Sequence, residues 1–304
     1  MNDLDLLRLI TLQDSTTRTV LLGTGTLGLV SGVVGAFAML RRRGLVADAV
    51  AHAALPGICV AFLIVGSRQF GSLLLGALVF GALAAWAITL IRGATRVKED
   101  AAIGIVIGAF FGLGIAMSGV IQRSPGGNKA GLDGFIFGKA ASMVRDDALL
   151  IAGVCAGVLL IVVLLYKELK LLCFDEDFGA SQGWPTLRLD LLLMLLVCVC
   201  TVAGLPAVGV VLMVALLIIP PAAARLWTNR LGPIVLLSGL IGGASGLAGT
   251  AMSAVLPAPG TRGWPTGPLI VLCAACVFVV SLLLGNARGI IPGWLGRRRI
   301  ERAA

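Results

Sequence analysis

Asp48 and His52 are the residues best suited to hold a cation in this 304-residue sequence. His52 is the only histidine. The stretch around it, Ala47-Asp48-Ala49-Val50-Ala51-His52-Ala53-Ala54-Leu55-Pro56-Gly57, is otherwise apolar. Positions i and i+4 share one face of a helix, so the carboxylate and the imidazole point the same way. Pro56 has no N–H to donate, which frees the carbonyl of His52 and predicts a bend. Pro56 and Gly57 are therefore candidates for a helix break or gate. Mixed oxygen and nitrogen donors suit Mn(II), Zn(II) or Fe(II) and not Cu(I), which wants soft sulfur. Two ligands do not complete a site, whereas a two-fold dimer would bring two carboxylates and two imidazoles to one axis. An aspartate at a span centre costs about 2.5–3.5 kcal/mol and by default marks a function. The competing reading places Asp48 at the membrane surface, close to Arg43, with His52 a packed imidazole.

The elements that must position this pair are membrane helices. Hydrophobic residues make up 58% of the chain and charged residues 13%, with a mean hydropathy of +1.02. A soluble domain is about half apolar and a quarter charged. Apolar runs fall at about 20–40, 46–66, 70–91, 101–120, 148–166, 189–205, 207–224, 233–255 and 268–285, each near the ~20 residues that span hydrocarbon. The expected fold is an all-α integral membrane protein with nine transmembrane helices. The alternative is eight spans plus a re-entrant 46–66. Residues 1–19 read as an amphipathic segment, 20–285 as the transmembrane domain and 286–304 as a basic tail. With nine spans and a cytoplasmic C-terminus, the cytoplasmic pieces are 41–45, 92–100, 167–188, 225–232 and 286–304. They hold 16 of the 24 lysines and arginines, as the positive-inside rule asks; the re-entrant topology gives 15. The net charge of +9 is thus a topology signal and not a nucleic-acid footprint.

Three further stretches carry information. Residues 167–188 form the longest cytoplasmic loop, and its centre mixes apolar and acidic residues: Leu171, Leu172, Phe174, Asp175, Glu176, Asp177 and Phe178. A purely solvated loop has no need of those apolar side chains, so docking to a partner is expected there. Pro220 and Pro221 sit near the end of a span and free the carbonyls of Leu216 and Leu217, a second candidate gate. Lys98-Glu99-Asp100 reads as the acidic cap of the fourth span. Pro206 is the expected link between two spans. Small-residue pairs at i, i+4, such as Gly28/Gly32, Gly108/Gly112, Gly153/Gly157 and Gly239/Gly243, allow close helix approach in lipid.

Other chemistries are weaker fits. Gly23, Gly25 and Gly28 spell GxGxxG without a strand before them. No GxxxxGK[ST] loop occurs, so any ATP must be bound by another chain. Six of the seven cysteines lie in apolar runs, where cysteine packs as a small hydrophobe. Gly243-Ala244-Ser245-Gly246 spells the GxSG of rhomboid-type serine proteases, but the lone histidine precedes Ser245 instead of following it. A proton-coupled secondary transporter using Asp48 and His52 as a relay is the main rival from another transport class.

Taken together, several stretches resemble the membrane permease subunits of bacterial ABC transporters for manganese, zinc or iron. These are Asp48 to Gly57, Lys98-Glu99-Asp100-Ala101-Ala102-Ile103-Gly104, Phe174 to Phe178, Leu217-Ile218-Ile219-Pro220-Pro221-Ala222-Ala223-Ala224-Arg225, and Pro265-Thr266-Gly267-Pro268. The resemblance implies a multi-pass subunit of the cytoplasmic (inner) membrane with no enzymatic activity and no permanent cofactor. It implies as partners a cytoplasmic ATPase dimer, a second permease copy or close homologue, and an extracytoplasmic metal-binding protein, docked near 121–147 and 256–267. It further implies that Asp48 and His52 bind the passing cation and that the Phe174–Phe178 segment meets the ATPase. Two departures stand out. Ala47 and Ala51 replace the family's usual glycine and serine, and Pro221 adds a proline.

Overall fold

The fold is known from a computed structural model that describes residues 15–66, 70–123, 143–255 and 264–291. Residues 1–14 of the N-terminal segment, most of the expected outer docking stretches and residues 292–304 of the tail lie outside the described residues. Eleven helices are described: α1 (Ser15–Leu40), α2 (Val46–Val65), α3 (Phe70–Ala94), α4 (Glu99–Arg123), α5 (Arg145–Leu164), α6 (Tyr166–Phe174), α7 (Glu176–Ser181), α8 (Thr186–Val208), α9 (Val210–Trp227), α10 (Leu231–Val255) and α11 (Thr266–Leu284). Among the described residues, nine are long and apolar enough to cross a membrane. All but α6 and α7 qualify, each within a few residues of an apolar run in the sequence. Helix is the only regular choice here, because lipid offers backbone groups no partner.

The core divides into two halves with α8 between them. Leu193, Leu196, Val197 and Cys200 of α8 join the half built on α1, α5 and α9. Met194, Cys198, Val202 and Leu205 join the half built on α2, α3 and α4. The two sets are interleaved at helical spacing, so each occupies its own face of α8. Asp190 lies four residues before Met194 and continues the row that faces α2 and α3.

The loops expected on one side do gather at one end. Arg43 of the first connection pairs with Glu99, and Arg41 pairs with Glu176. The backbone N–H groups of Ala287 and Arg288 both donate to Leu226 O. A re-entrant 46–66 would have put Arg43 and Glu99 on opposite sides, so α2 is a through-going helix. The link between α8 and α9 is Gly209, not Pro206. Gly209 has φ 83° and ψ 168°, a conformation open essentially to glycine alone, whereas Pro206 is accommodated inside α8.

Glycine decides how closely α1 and α10 approach. A Cβ on Gly28 would be driven into the carbonyl of Gly242, and one on Gly32 into that of Ser238. Gly108, Gly112, Gly153 and Gly157, by contrast, have nothing within 4 Å of an added Cβ. Gly28→Leu should therefore lower the unfolding temperature of the detergent-solubilised protein, since overpacking costs about 1–3 kcal/mol. Gly153→Leu should leave it unchanged.

Candidate metal centre

Between Val46 and Ala61 every residue of α2 is buried except Asp48, His52 and Val60. The run of alanines makes this possible, because short side chains let α3 and α4 close over the helix. At the next step outward, Gly57 and Gly76 meet backbone to backbone. What remains open is a narrow strip carrying the only two polar side chains of the helix. Asp48 and His52 are 36% and 30% exposed, and Asp48 Oδ1 lies 3.5 Å from His52 Nε2. That is longer than a good hydrogen bond. It is close to the ~3.4 Å that separates two tetrahedral ligands of an ion held at about 2.1 Å. His52 also meets the ring of Phe111 edge-on, with centroids 4.9 Å apart. Beside Phe111, Gly104, Gly108 and Gly112 leave the outer face of α4 open. Among the described residues, no three His, Cys, Asp or Glu side chains gather to hold a metal. Within one chain, the pair offers two donors.

Immediately before α2 lies a charge network that sequence reading missed. Asp190, 2% exposed, accepts from Arg41 Nη2 at 3.0 Å and from Arg43 Nη2 at 2.8 Å. Arg43 Nη1 donates to Glu99 Oε1. Arg92 lies 3.6 Å from Glu99 and 3.9 Å from Asp190. Arg41 also reaches Glu176 at 2.8 Å and Leu172 O at 3.1 Å. Arg41, Arg43 and Arg92 thus balance Asp190, Glu99 and Glu176. Burial works against the Arg41 charge, but its hydrogen bonds to Glu176 and Asp190 outweigh that and hold its pKa above the ordinary value. The arginines read from sequence as topology signals, and Glu99 as a solvated cap, are therefore internal ties. The available signal was an aspartate at the start of an apolar run. Breaking a buried pair by removing one partner costs about 3–5 kcal/mol. Asp190→Ala should accordingly lower thermal stability far more than Asp177→Ala, whose side chain is exposed.

The 167–188 segment folds as α6 and α7 across this network. Asp175 caps α7 by accepting from Phe178 N at 2.9 Å, and Glu176 is committed to Arg41. Leu172 is 1% exposed and sits in the core, which corrects the expectation that it faces a partner: it anchors the segment. Phe174 and Phe178 are 61% and 51% exposed, and Leu171 is half-buried. An apolar outer surface is thus tied at its inner side to the residues that precede α2.

The remaining candidates have local explanations. Pro56 lies inside α2, and Pro220 and Pro221 lie inside α9. All are buried, and neither helix is interrupted. Ser245 donates to Ile241 O at 2.7 Å on its own helix, which is back-bonding and not an activated nucleophile. Burial pushes the Cys173 thiol up to about 12, so it is not a reactive thiolate.

The ABC 3 transport family matches residues 13–285. The chain is 43% identical over 291 residues to the manganese transport system membrane protein MntC of Bacillus subtilis (strain 168), a match covering 96% of this chain and 66% of that protein. It thus spans just under two thirds of that relative. It is 44% identical over 288 residues to the zinc transport system membrane protein TroC of Treponema pallidum (strain Nichols), covering 95% of each. Among solved structures, PsaBC from Streptococcus pneumoniae in complex with Fab is similar with a TM-score of 0.81 and 31% identity, covering 96% of this chain and 99% of that one.

Proposed function

The chain belongs to the ABC 3 transport family, as a metal-transporter permease and not an enzyme, and from that premise we propose that it is the permease of an ATP-driven importer that moves Mn(II) or Zn(II) across the cytoplasmic membrane. The cargo assignment draws on the relatives, one described as a manganese and one as a zinc transport system membrane protein. The observation that carries the reading is the outward strip of α2. Two hard-to-borderline donors stand 3.5 Å apart on a stretch of α2, Val46 to Ala61, that is otherwise largely enclosed, beside a glycine face of α4 that a second protomer can approach closely. Two such chains about a common axis supply two carboxylates and two imidazoles. The ligands must be ionised carboxylate and neutral imidazole, so metal and proton compete for His52.

Transport in this account is ligand exchange without bond breaking. An extracytoplasmic binding protein delivers the cation to the outer face, and the ion is held between the Asp48–His52 pairs of two permease chains. The ATPase engages Phe174 and Phe178 on the cytoplasmic side. Movement of α6 and α7 reaches the metal helix through Glu176, Arg41, Asp190 and Arg43, with the buried prolines of α2 and α9 as the points where helices can yield. The C-terminus lies in the cytoplasm, on the side where the lysines and arginines concentrate. The test is Mn(II) uptake into proteoliposomes with and without the ATPase. Uptake should require both the ATPase and hydrolysable ATP. Uptake driven by a pH gradient alone would identify a proton-coupled carrier and overturn the proposal.

A further inference from the structure

Two recesses at the loop-rich end of the molecule share Gly232. One is an apolar groove of about 570 Å³ between α1, α5 and α10, with Leu29, Val33, Val162, Tyr166, Val235 and Leu240 among its walls. The other, of about 350 Å³, is lined by Lys170, Phe174, Asn229, Arg230, Leu231 and Gly232. The first has the size of an ordinary ligand site. From Gly232 to Leu240 it follows α10 for about 12 Å toward the membrane interior, at 1.5 Å per residue. The second opens where α10 begins, so the positive end of that helix lies at it.

The charges at this end are not all spent. Arg41, Arg43 and Arg92 are matched by acids. Lys170 and Arg230 are exposed, no acidic residue lines their recess, and among the described residues no ion pair engages either. An apolar groove running into the bilayer, adjoining at Gly232 a recess with two cations that no ion pair engages, is complementary to one class of molecule. We propose that the joined recesses bind an anionic phospholipid, its phosphate at Lys170 and Arg230 and an acyl chain along α10. Basic pockets between membrane helices hold anionic headgroups in this way. A zwitterionic lipid would bring a positive group to the same mouth, and a free phosphate would leave the groove unfilled. Phe174 lines the headgroup recess, so the bound lipid sits beside the segment proposed to meet the ATPase. The inference depends on the chain crossing a bilayer and not on what it transports.

The test uses the full-length permease, purified in detergent and stripped of lipid. Dioleoyl-phosphatidylglycerol should raise its unfolding temperature by about 5 °C near saturation, dioleoyl-phosphatidylcholine should not, and native mass spectrometry should find one retained phosphatidylglycerol. The double variant Lys170→Gln with Arg230→Gln should lose the difference between the two lipids. Gly232→Leu should lose it as well, since only Tyr166 Oη, at 3.4 Å, lies near an added Cβ and the new side chain would plug the junction. Equal shifts from both lipids, an undiminished phosphatidylglycerol effect in both variants, or a full shift from inorganic phosphate alone would overturn the proposal. Metal uptake is not the readout, so neither result depends on the transport assignment.

Discussion

Replacing Asp48 and His52 together with alanine is expected to abolish Mn(II) and Zn(II) uptake while leaving the permease folded and bound to its ATPase. The two halves of that expectation have separate grounds. Loss of transport follows from chemistry, because no other histidine exists in the chain and no alternative cluster of ligands is found among the described residues. Removing even an outer partner of a metal ligand costs about 10–100-fold, and here the proposed ligands themselves go. Retention of the fold follows from geometry. Both side chains are about one third exposed, on the one strip left open between Val46 and Ala61 of α2, so alanine leaves no cavity and no buried group unpaired. Radiolabelled Mn(II) uptake in proteoliposomes measures the first half, and ATPase recovery on the tagged permease measures the second. Uptake at the unaltered rate would remove Asp48 and His52 from the account.

The second large effect concerns the partner surface. Phe174→Asp together with Phe178→Asp should eliminate co-purification of the ATPase without unfolding the permease. Interface aromatics that act as hot spots are worth about 2–4 kcal/mol each, so losing even one weakens binding at least ~25-fold. Both rings are more than half exposed, and charging them disturbs nothing inside the protein. Leu172→Asp is not an equivalent experiment, because that residue lies in the core and its replacement attacks the fold. Recovery of the ATPase in wild-type amounts on the doubly charged variant would refute docking at this segment.

Much of the fold was legible because lipid leaves so few alternatives. A run of about 20 apolar residues between charges must be a helix that crosses, and all nine expected spans are present among the described residues. The Asp48–His52 pair was legible for the same reason, since two polar residues at i, i+4 in such a run stand out. The network behind the pair was not legible. Asp190 begins an apolar run and carries no motif, and its meaning depends on which face of α8 it occupies and on three arginines from distant connections. Pairing across such separations is set by tertiary packing and not by local spacing. Pro206 misled for a related reason: proline marks a break only where the geometry cannot absorb it, and the position that required an unusual backbone was Gly209. Leu172 and Phe174 are two residues apart and both apolar, yet only packing against α1 and α8 distinguishes the anchor from the exposed surface.

The central claim is that each chain holds half a site, and metal stoichiometry tests it directly. Permease purified with its partner copy and equilibrated with Mn(II) should bind one ion per two permease chains, with nitrogen coupling from imidazole in its electron paramagnetic resonance spectrum. Asp48→Ala or His52→Ala should remove it. One ion per single chain, or binding that survives both substitutions, would contradict the account.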